Sequence, residues 1–314
     1  MMMDAASRDG YGAALLDLSE NDKIVVLEAD LGKSTKSCLF RAEHPQRAFS
    51  MGIAEQNMML VAAGLASTGM IPFASTFAIF TERGFEQVRN GIARPGLVAH
   101  ICGSHGGIHT GTDGSSAQSI EDLAIYRTLP NMTVMHPCDA VSTRALTKAL
   151  VGHKSPSYTR TVRNKTRQIY TDEEATTLEI GKFSVLNEGK DVAILACGVM
   201  VQEALDAADT LAGEGIRATV VDVHTLKPFD HDEMKRISEE CGAVVTAEDH
   251  SIIGGLGGAV AESLTSNHPV PLERVGVEDT YGMSGQPAEL MKHYGLTASD
   301  IVDAARIAIK RRND

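Results

Sequence analysis

The sequence predicts an α/β protein built from two doubly wound domains, and three observations carry that expectation. Short β-branched runs alternate with helical periods along the chain, the pattern of a mainly parallel sheet covered by helices. The 314 residues, 43% of them hydrophobic, suffice for two cores of ordinary size. A polar stretch from Asn164 to Lys190, with the acidic cluster Asp172-Glu173-Glu174, interrupts the alternation. The boundary is placed there, giving a first domain over 1–170 and a second over 171–314.

Taken in order, Ile24-Val25-Val26-Leu27 is an apolar run of strand length. The apolar segment from Ile53 to Leu65 is too long for a strand, stops at the turn Ser67-Thr68-Gly69, and predicts a helix over 54–66. Further strands are expected over 72–75, 97–101, 132–135 and 157–159, and helices near 9–19, 81–92, 119–127 and 138–151. The second set has strands over 192–195, 218–221, 243–246 and 272–275, with helices over 201–213, 231–240 and 257–266 and terminal helices after them. Lys310-Arg311-Arg312 closes the chain as a solvated helix end, where cations suit the dipole.

Composition removes several function classes. A net charge of -12 makes the chain a poor nucleic-acid binder, which depends on basic patches. It does not exclude a phosphorylated substrate, since a local Arg and His cluster acts against the global sign. No apolar run reaches the ~18 residues of a membrane helix, and no basic segment precedes an apolar stretch at the start, so neither membrane nor signal peptide is expected. Cys38, Cys102, Cys138, Cys197 and Cys241 are scattered without Cys-x-x-Cys spacing, which suits reduced thiols in the cytoplasm.

Residues 51–57 read Met-Gly-Ile-Ala-Glu-Gln-Asn, followed by the pair Phe77 and Phe80 in Ser-Thr-Phe-Ala-Ile-Phe. On its own Glu55 is a first-turn glutamate favoured by the helix dipole, and on their own Phe77 and Phe80 are core residues. Together, a desolvated carboxyl near two aromatics suits holding an aminopyrimidine and exchanging a proton with it. This string resembles the pyrimidine-binding domain of the transketolase family of thiamine diphosphate enzymes. The resemblance implies that Glu55 stabilises the imino tautomer of the cofactor and that Phe77 and Phe80 pack on its ring. Arg83 departs from the family, which often has an aromatic or uncharged polar group there.

The resemblance extends along most of the chain. Glu28-Ala29-Asp30-Leu31 is similar to the family's Ala-Asp-Leu and implies Asp30 at a subunit interface and Leu31 as a wedge under the bent cofactor. Without the family, Asp30 reads as a strand-end turn cap. The glycine-rich run Gly103-Ser104-His105, then Thr110 to Gly114, resembles the family's substrate loop, which implies that His105 reaches a sugar phosphate and Asp113 a substrate hydroxyl. Ala117 stands where the family usually has His or Gln near the reacting carbon. Arg160, Arg8 and Ser34 match phosphate contacts, and a guanidinium fork suits such oxygens.

Two other patterns fail. Gly254-Gly255-Leu256-Gly257-Gly258 lacks dinucleotide spacing and reads as close helix–strand packing. His105 and His109 are four apart, but the glycines between them argue against a metal-binding helix. Neither Gly-Asp-Gly nor Asn-Asn, which hold the diphosphate and Mg2+ in the family, occurs in these residues. The resemblance therefore implies the C-terminal section of a split transketolase. It would transfer a two-carbon ketol unit between phosphorylated sugars, with an N-terminal-half subunit supplying those motifs in a heterotetramer. Also open are a 1-deoxyxylulose-phosphate synthase-like or 2-oxo acid dehydrogenase beta-like subunit, and a non-catalytic binding subunit of the same fold.

Overall fold

The computed structural model describes residues 4–314. Numbered along the chain, its strands are β1 (Ile24–Glu28), β2 (Ala48–Ser50), β3 (Ile71–Phe77), β4 (His100–Ser104), β5 (Thr133–Met135), β6 (Ser157–Thr161), β7 (Ser184–Asn187), β8 (Val192–Ala196), β9 (Ala218–Asp222), β10 (Thr225–Lys227), β11 (Val244–Ser251) and β12 (Leu272–Val277). They form two sheets, in the orders β10-β5-β6-β4-β3-β1-β2 and β12-β11-β8-β9-β7. All pairs are parallel except β10 with β5 and β7 with β9. Helices cover the sheets, as the alternating pattern requires.

The pattern located most elements to within a residue or two, and it failed where glycine or polarity intervened. The helix expected over 81–92 is instead a chain of short pieces ending in a π-helical segment, Val88–Ala93. Gly84 and Gly91 explain the break. Each lies so close to the helix Glu55–Ser67 that an added Cβ would stand 2.9 Å from Met59 Cγ or 3.1 Å from Leu60 Cδ2. The strand expected over 97–101 begins at His100, because its ladder with β6 starts there and the buried His100 ring meets Ser157 Oγ at 2.9 Å. The short β2, β7 and β10 carry too little pattern to be seen in the sequence.

Apolar contact does not stop at the boundary between the two sheets. One buried cluster runs from Leu27, Met58 and Tyr158 through to Leu195, Val223 and Leu256, so the two sheets share a core. β10 adds a second tie, since it follows β9 of one sheet and completes the edge of the other.

Asp139 anchors the segment that joins them. Its Oδ1 caps the helix Ala140–Ala149 by accepting the Ser142 N–H at 2.7 Å. Its Oδ2 accepts the N–H groups of Ile169 and Tyr170 at 2.7 and 2.9 Å. Removing the carboxylate orphans buried donors on two elements at once. Asp139→Ala is expected to cost about 2–4 kcal/mol, a lost cap plus unsatisfied N–H groups. Asn is expected to recover part of this, both read as shifts in urea unfolding midpoint.

Candidate active site

The carboxyl ends of β1, β3, β4 and β6 lie side by side, the edge at which open α/β sheets hold ligands. Beyond β3, Phe77 and Phe80 face each other with ring centroids 5.5 Å apart and planes within 8°. The His105 ring, just past β4, stacks on Phe77 at 3.9 Å. Glu55 is the first residue of its helix and is buried, with Arg83 Nε 3.5 Å from its Oε2. Ile53, two residues before it, is 74% exposed. Gly84 packs against the Glu55 backbone, close enough that a Cβ there would stand 3.3 Å from the Glu55 carbonyl oxygen.

His105 has φ +61, a left-handed backbone that costs a non-glycine residue of order 1 kcal/mol or more. That residue's ring lies flat against Phe77. Its Nδ1 meets Ser104 Oγ at 2.8 Å and its Nε2 lies 3.5 Å from Arg8 Nη1. Burial, then the charges of Arg8 and Arg163, push the imidazole down to about 3. His105 is therefore neutral near pH 7 and serves as a hydrogen-bonding group rather than a cation.

Arg8 donates to the backbone carbonyl of Ser34 at 3.0 Å, so it is the Ser34 main chain, not its hydroxyl, that fixes the guanidinium. Asp113 is exposed on the loop and pairs with Arg163 at 3.4 Å. Arg163 also donates to Thr112 Oγ1 and to the Thr110 carbonyl. Asp30 and Leu31 sit on the turn after β1. Asp30 is exposed with φ +61, and the N–H groups of Leu31 and Gly32 bond Glu28 Oε2 at 2.8 and 3.0 Å. Ala117 is buried and presents no polar group, while neighbouring Gln118 turns away to the carbonyls of Gly111 and Met283.

Arg160 does not belong to this surface, which corrects the expectation that it binds a substrate anion. Its side chain is 0% exposed. Nη1 donates to the Asp249 carbonyl and Nη2 to the Ser119 carbonyl, both at 2.7 Å, and Nε lies 3.3 Å from Asp122 Oδ2. The available arginine is three residues on, at Arg163, where the chain has left β6. The tripeptide Arg160-Thr161-Val162 hid this, because the pattern does not say where the strand ends.

The glycine-rich turn 254–258 is closed from within: the Glu248 carboxylate accepts the N–H groups of Leu256 and Gly257 at 2.7 and 2.8 Å. Those helix-terminal donors are already filled. Among the described residues, no group of three or more His, Cys, Asp or Glu is placed to hold a metal ion. No helix among them is long and apolar enough to cross a membrane.

Residues 3–168 match the family model for the transketolase pyrimidine-binding domain, and residues 181–301 match that for the transketolase C-terminal domain. The chain belongs to the transketolase family. It is 46% identical to a putative transketolase C-terminal section of Methanocaldococcus jannaschii, over 94% of this chain and 93% of that one. It is 45% identical to the 6-deoxy-6-sulfo-D-fructose transketolase subunit SqwH of a Clostridium species, over 98% and 95%. Rat transketolase is 37% identical over 96% of this chain, which spans 48% of that enzyme. Among solved structures, a split-gene transketolase described as an inactive β4 tetramer superposes with a TM-score of 0.91 at 48% identity, covering 98% of this chain and 99% of that one. The chain thus corresponds to the pyrimidine-binding and C-terminal domains of a split transketolase.

The burial of Arg160 yields a test. Arg160→Ala leaves the buried Asp122 without its cation, the Asp249 carbonyl without its donor and the Ser119 carbonyl with the Gly107 N–H alone, a loss of about 3–5 kcal/mol. The expected outcome in chemical denaturation is a strongly destabilised chain. A fold of unchanged stability with only a raised KM would return Arg160 to the substrate.

Proposed function

We propose that this chain is the subunit of a thiamine diphosphate-dependent transketolase that carries the pyrimidine half of the active site, and that it transfers a two-carbon ketol unit from a ketose phosphate to an aldose phosphate. The observation that carries the reading is the buried Glu55 carboxyl at a helix start in the same fold as the Phe77, Phe80 and His105 stack. These residues fit an aminopyrimidine: a flat ring needs parallel aromatic faces, and its ring nitrogen needs a carboxyl to share a proton. Bound thiamine diphosphate supplies the nucleophilic carbon that takes up and hands on the ketol unit. Glu55 holds and returns a proton at the pyrimidine nitrogen, Phe77 and Phe80 fix the ring, and Leu31 supports the cofactor from below. Neutral His105 donates to or accepts from substrate oxygens, Asp113 orients a hydroxyl, and Arg8, fixed by Ser34, meets the distal anion together with Arg163.

The diphosphate and Mg2+ do not fit this chain, since neither Gly-Asp-Gly nor Asn-Asn is present to bring the needed amides and oxygen ligands. We assign them to an N-terminal-half partner in a heterotetramer, with Asp30 at the contact between subunits. Exposed Phe49, Ile53 and Leu60 around the start of the Glu55 helix support such a contact. A first domain over 1–170 then holds the ring, and a second over 171–314 braces the loop. Free thiols at all five cysteines favour a reducing, cytoplasmic setting.

A sulfonated ketose is a second reading of the donor, favoured by the sulfofructose-directed relative and by the charges at the anion site. Asp113 pairs directly with Arg163, while Arg8 has no bonded carboxylate and feels Asp9 and Asp113 only at longer range, which suits a monoanionic sulfonate as well as a phosphate.

The reading is tested by Glu55→Gln in the complex reconstituted with its N-terminal-half partner. The variant is expected to fold normally and lose ~10²–10⁴-fold in turnover, the typical worth of acid–base function. Turnover within a few-fold of wild type removes Glu55 from the chemistry. Arg163→Ala is expected to lower kcat/KM by roughly one to two decades for anionic sugars, a charge-assisted bond of ~1.5–3 kcal/mol. Lys should recover only part of that loss. Running phosphorylated and sulfonated ketoses side by side on both variants decides the donor class.

A further inference from the structure

Beyond these roles lies a carboxyl that the reaction does not use. Glu82 follows the helix that carries Phe80 and precedes Arg83, which reaches back to Glu55. Its Oε1 accepts the Ser119 hydroxyl at 2.6 Å. Ser119 is fully buried and closes the base of the loop that carries Asp113 and Ala117. Its carbonyl accepts the Gly107 N–H and Arg160 Nη2, each at 2.7 Å, and its hydroxyl oxygen accepts the Asp122 N–H at 3.2 Å. We propose that Glu82 is a positioning residue that locks the substrate loop to the aromatic wall through Ser119. The bond joins the aromatic wall to the loop base by side chains, where the two residues are 37 positions apart along a backbone that passes through β4.

The surroundings set the form in which the lock closes. Glu82 is flanked by the carboxylates of Asp122 and Glu121, with the Tyr126 phenol also near and the Arg160 guanidinium opposing them. Burial first, then those two carboxylates, raise the Glu82 carboxyl to about 8, against the Ser119 bond and Arg160, which lower it. The protonated acid is therefore the form the fold favours. A raised carboxyl gives stability that is fully present below its unfolded value near 4.5 and is lost as pH rises through about 8. Above that, a third carboxylate beside Asp122 and Glu121 is pushed outward, and Ser119 loses its acceptor.

The test has two arms, and only the second rests on the transketolase reading. In the isolated chain, amide hydrogen exchange over residues 106–119, corrected for intrinsic rate, is followed from pH 6.5 to 9.5 in wild type, Glu82→Gln and Glu82→Ala. Wild type is expected to lose protection around pH 8. Gln, which keeps a neutral acceptor, is expected to stay protected throughout, and Ala to be unprotected at every pH. Equal protection of all three proteins across the range overturns the lock. In the reconstituted complex, Gln is expected to flatten the alkaline limb of kcat/KM and Ala to raise KM several-fold at pH 7 with kcat nearly kept. An inactive wild-type complex would count against the function while exchange still judged the lock. An Ala chain that fails to fold leaves the wild-type and Gln comparison, in which parallel loss of protection overturns the proposal.

Discussion

One guanidinium holds the pocket together. Arg160 is buried where β6, the Asp122 helix, the loop base at Ser119 and the end of β11 at Asp249 converge, and it bonds or pairs with all three partners. A cation fully out of water needs its partners, and since Nε faces Asp122 as an ion pair without a hydrogen bond of its own, none of them can be displaced singly. The loop has adapted to that charge. Gly106 runs so close to Arg160 that a Cβ would collide with Nε, and Gly107 adopts φ +83 against the Asp249 carboxylate. Glycine is required at both places, at one for room and at the other for the left-handed turn.

From this junction the second domain acquires a part in the site without touching substrate. Asp249 Oδ1 and Oδ2 accept the N–H groups of Ile108 and His109, at 2.7 and 3.0 Å. Further along, Gln118 bonds Met283, Ser284 bonds the Thr112 carbonyl, and Gly111 packs on Pro287. A glycine-rich loop left to itself would sample many conformations, and ordering it costs backbone entropy of about 1–2 kcal/mol per residue. These contacts meet that cost within the folded chain, so the loop that carries Asp113 is held in place in advance. The continuous core beneath makes the brace stiff.

How much of this could be read from the sequence follows from the range of each interaction. Glu55, Phe77 and Phe80 were legible because short strings carry them and their neighbours fix where they point. His105 and Asp113 could be picked out as members of a loop too rich in glycine for a core, though the neutral state of His105 comes from burial and then from Arg8 and Arg163, distant in the sequence. The burial of Arg160 was not legible, because only the three-dimensional ladder shows that β6 continues to Thr161 and encloses its side chain. Ser34, matched by resemblance to a phosphate contact, also accepts from Arg8 through its carbonyl, a bond no side-chain pattern contains. The brace from Asp249 and the Glu248 carboxylate in the glycine turn were invisible, since they pair segments of unrelated pattern.

The electrostatics of the pocket then follow from position rather than composition. The chain is acidic overall, yet Arg8 and Arg163 stand within influence of each other and of His105. Two cations close together are costly unless something relieves them. The relief is partial: Asp113 pairs with Arg163, while Arg8 keeps only neutral partners, a carbonyl and an imidazole. Burial first, then the same field, keeps His105 unprotonated, so the ring that stacks on Phe77 adds no third charge. What remains is a guanidinium without a bonded carboxylate beside a neutral hydrogen-bonding ring that stacks on Phe77. In the proposed function an anionic tail on a polyhydroxylated chain completes that arrangement, the anion meeting the guanidinium and the hydroxyls meeting His105 and Asp113. On that same reading the braced loop fixes the spacing between Arg8 and the aromatic rings, and with it where the anion sits on the sugar.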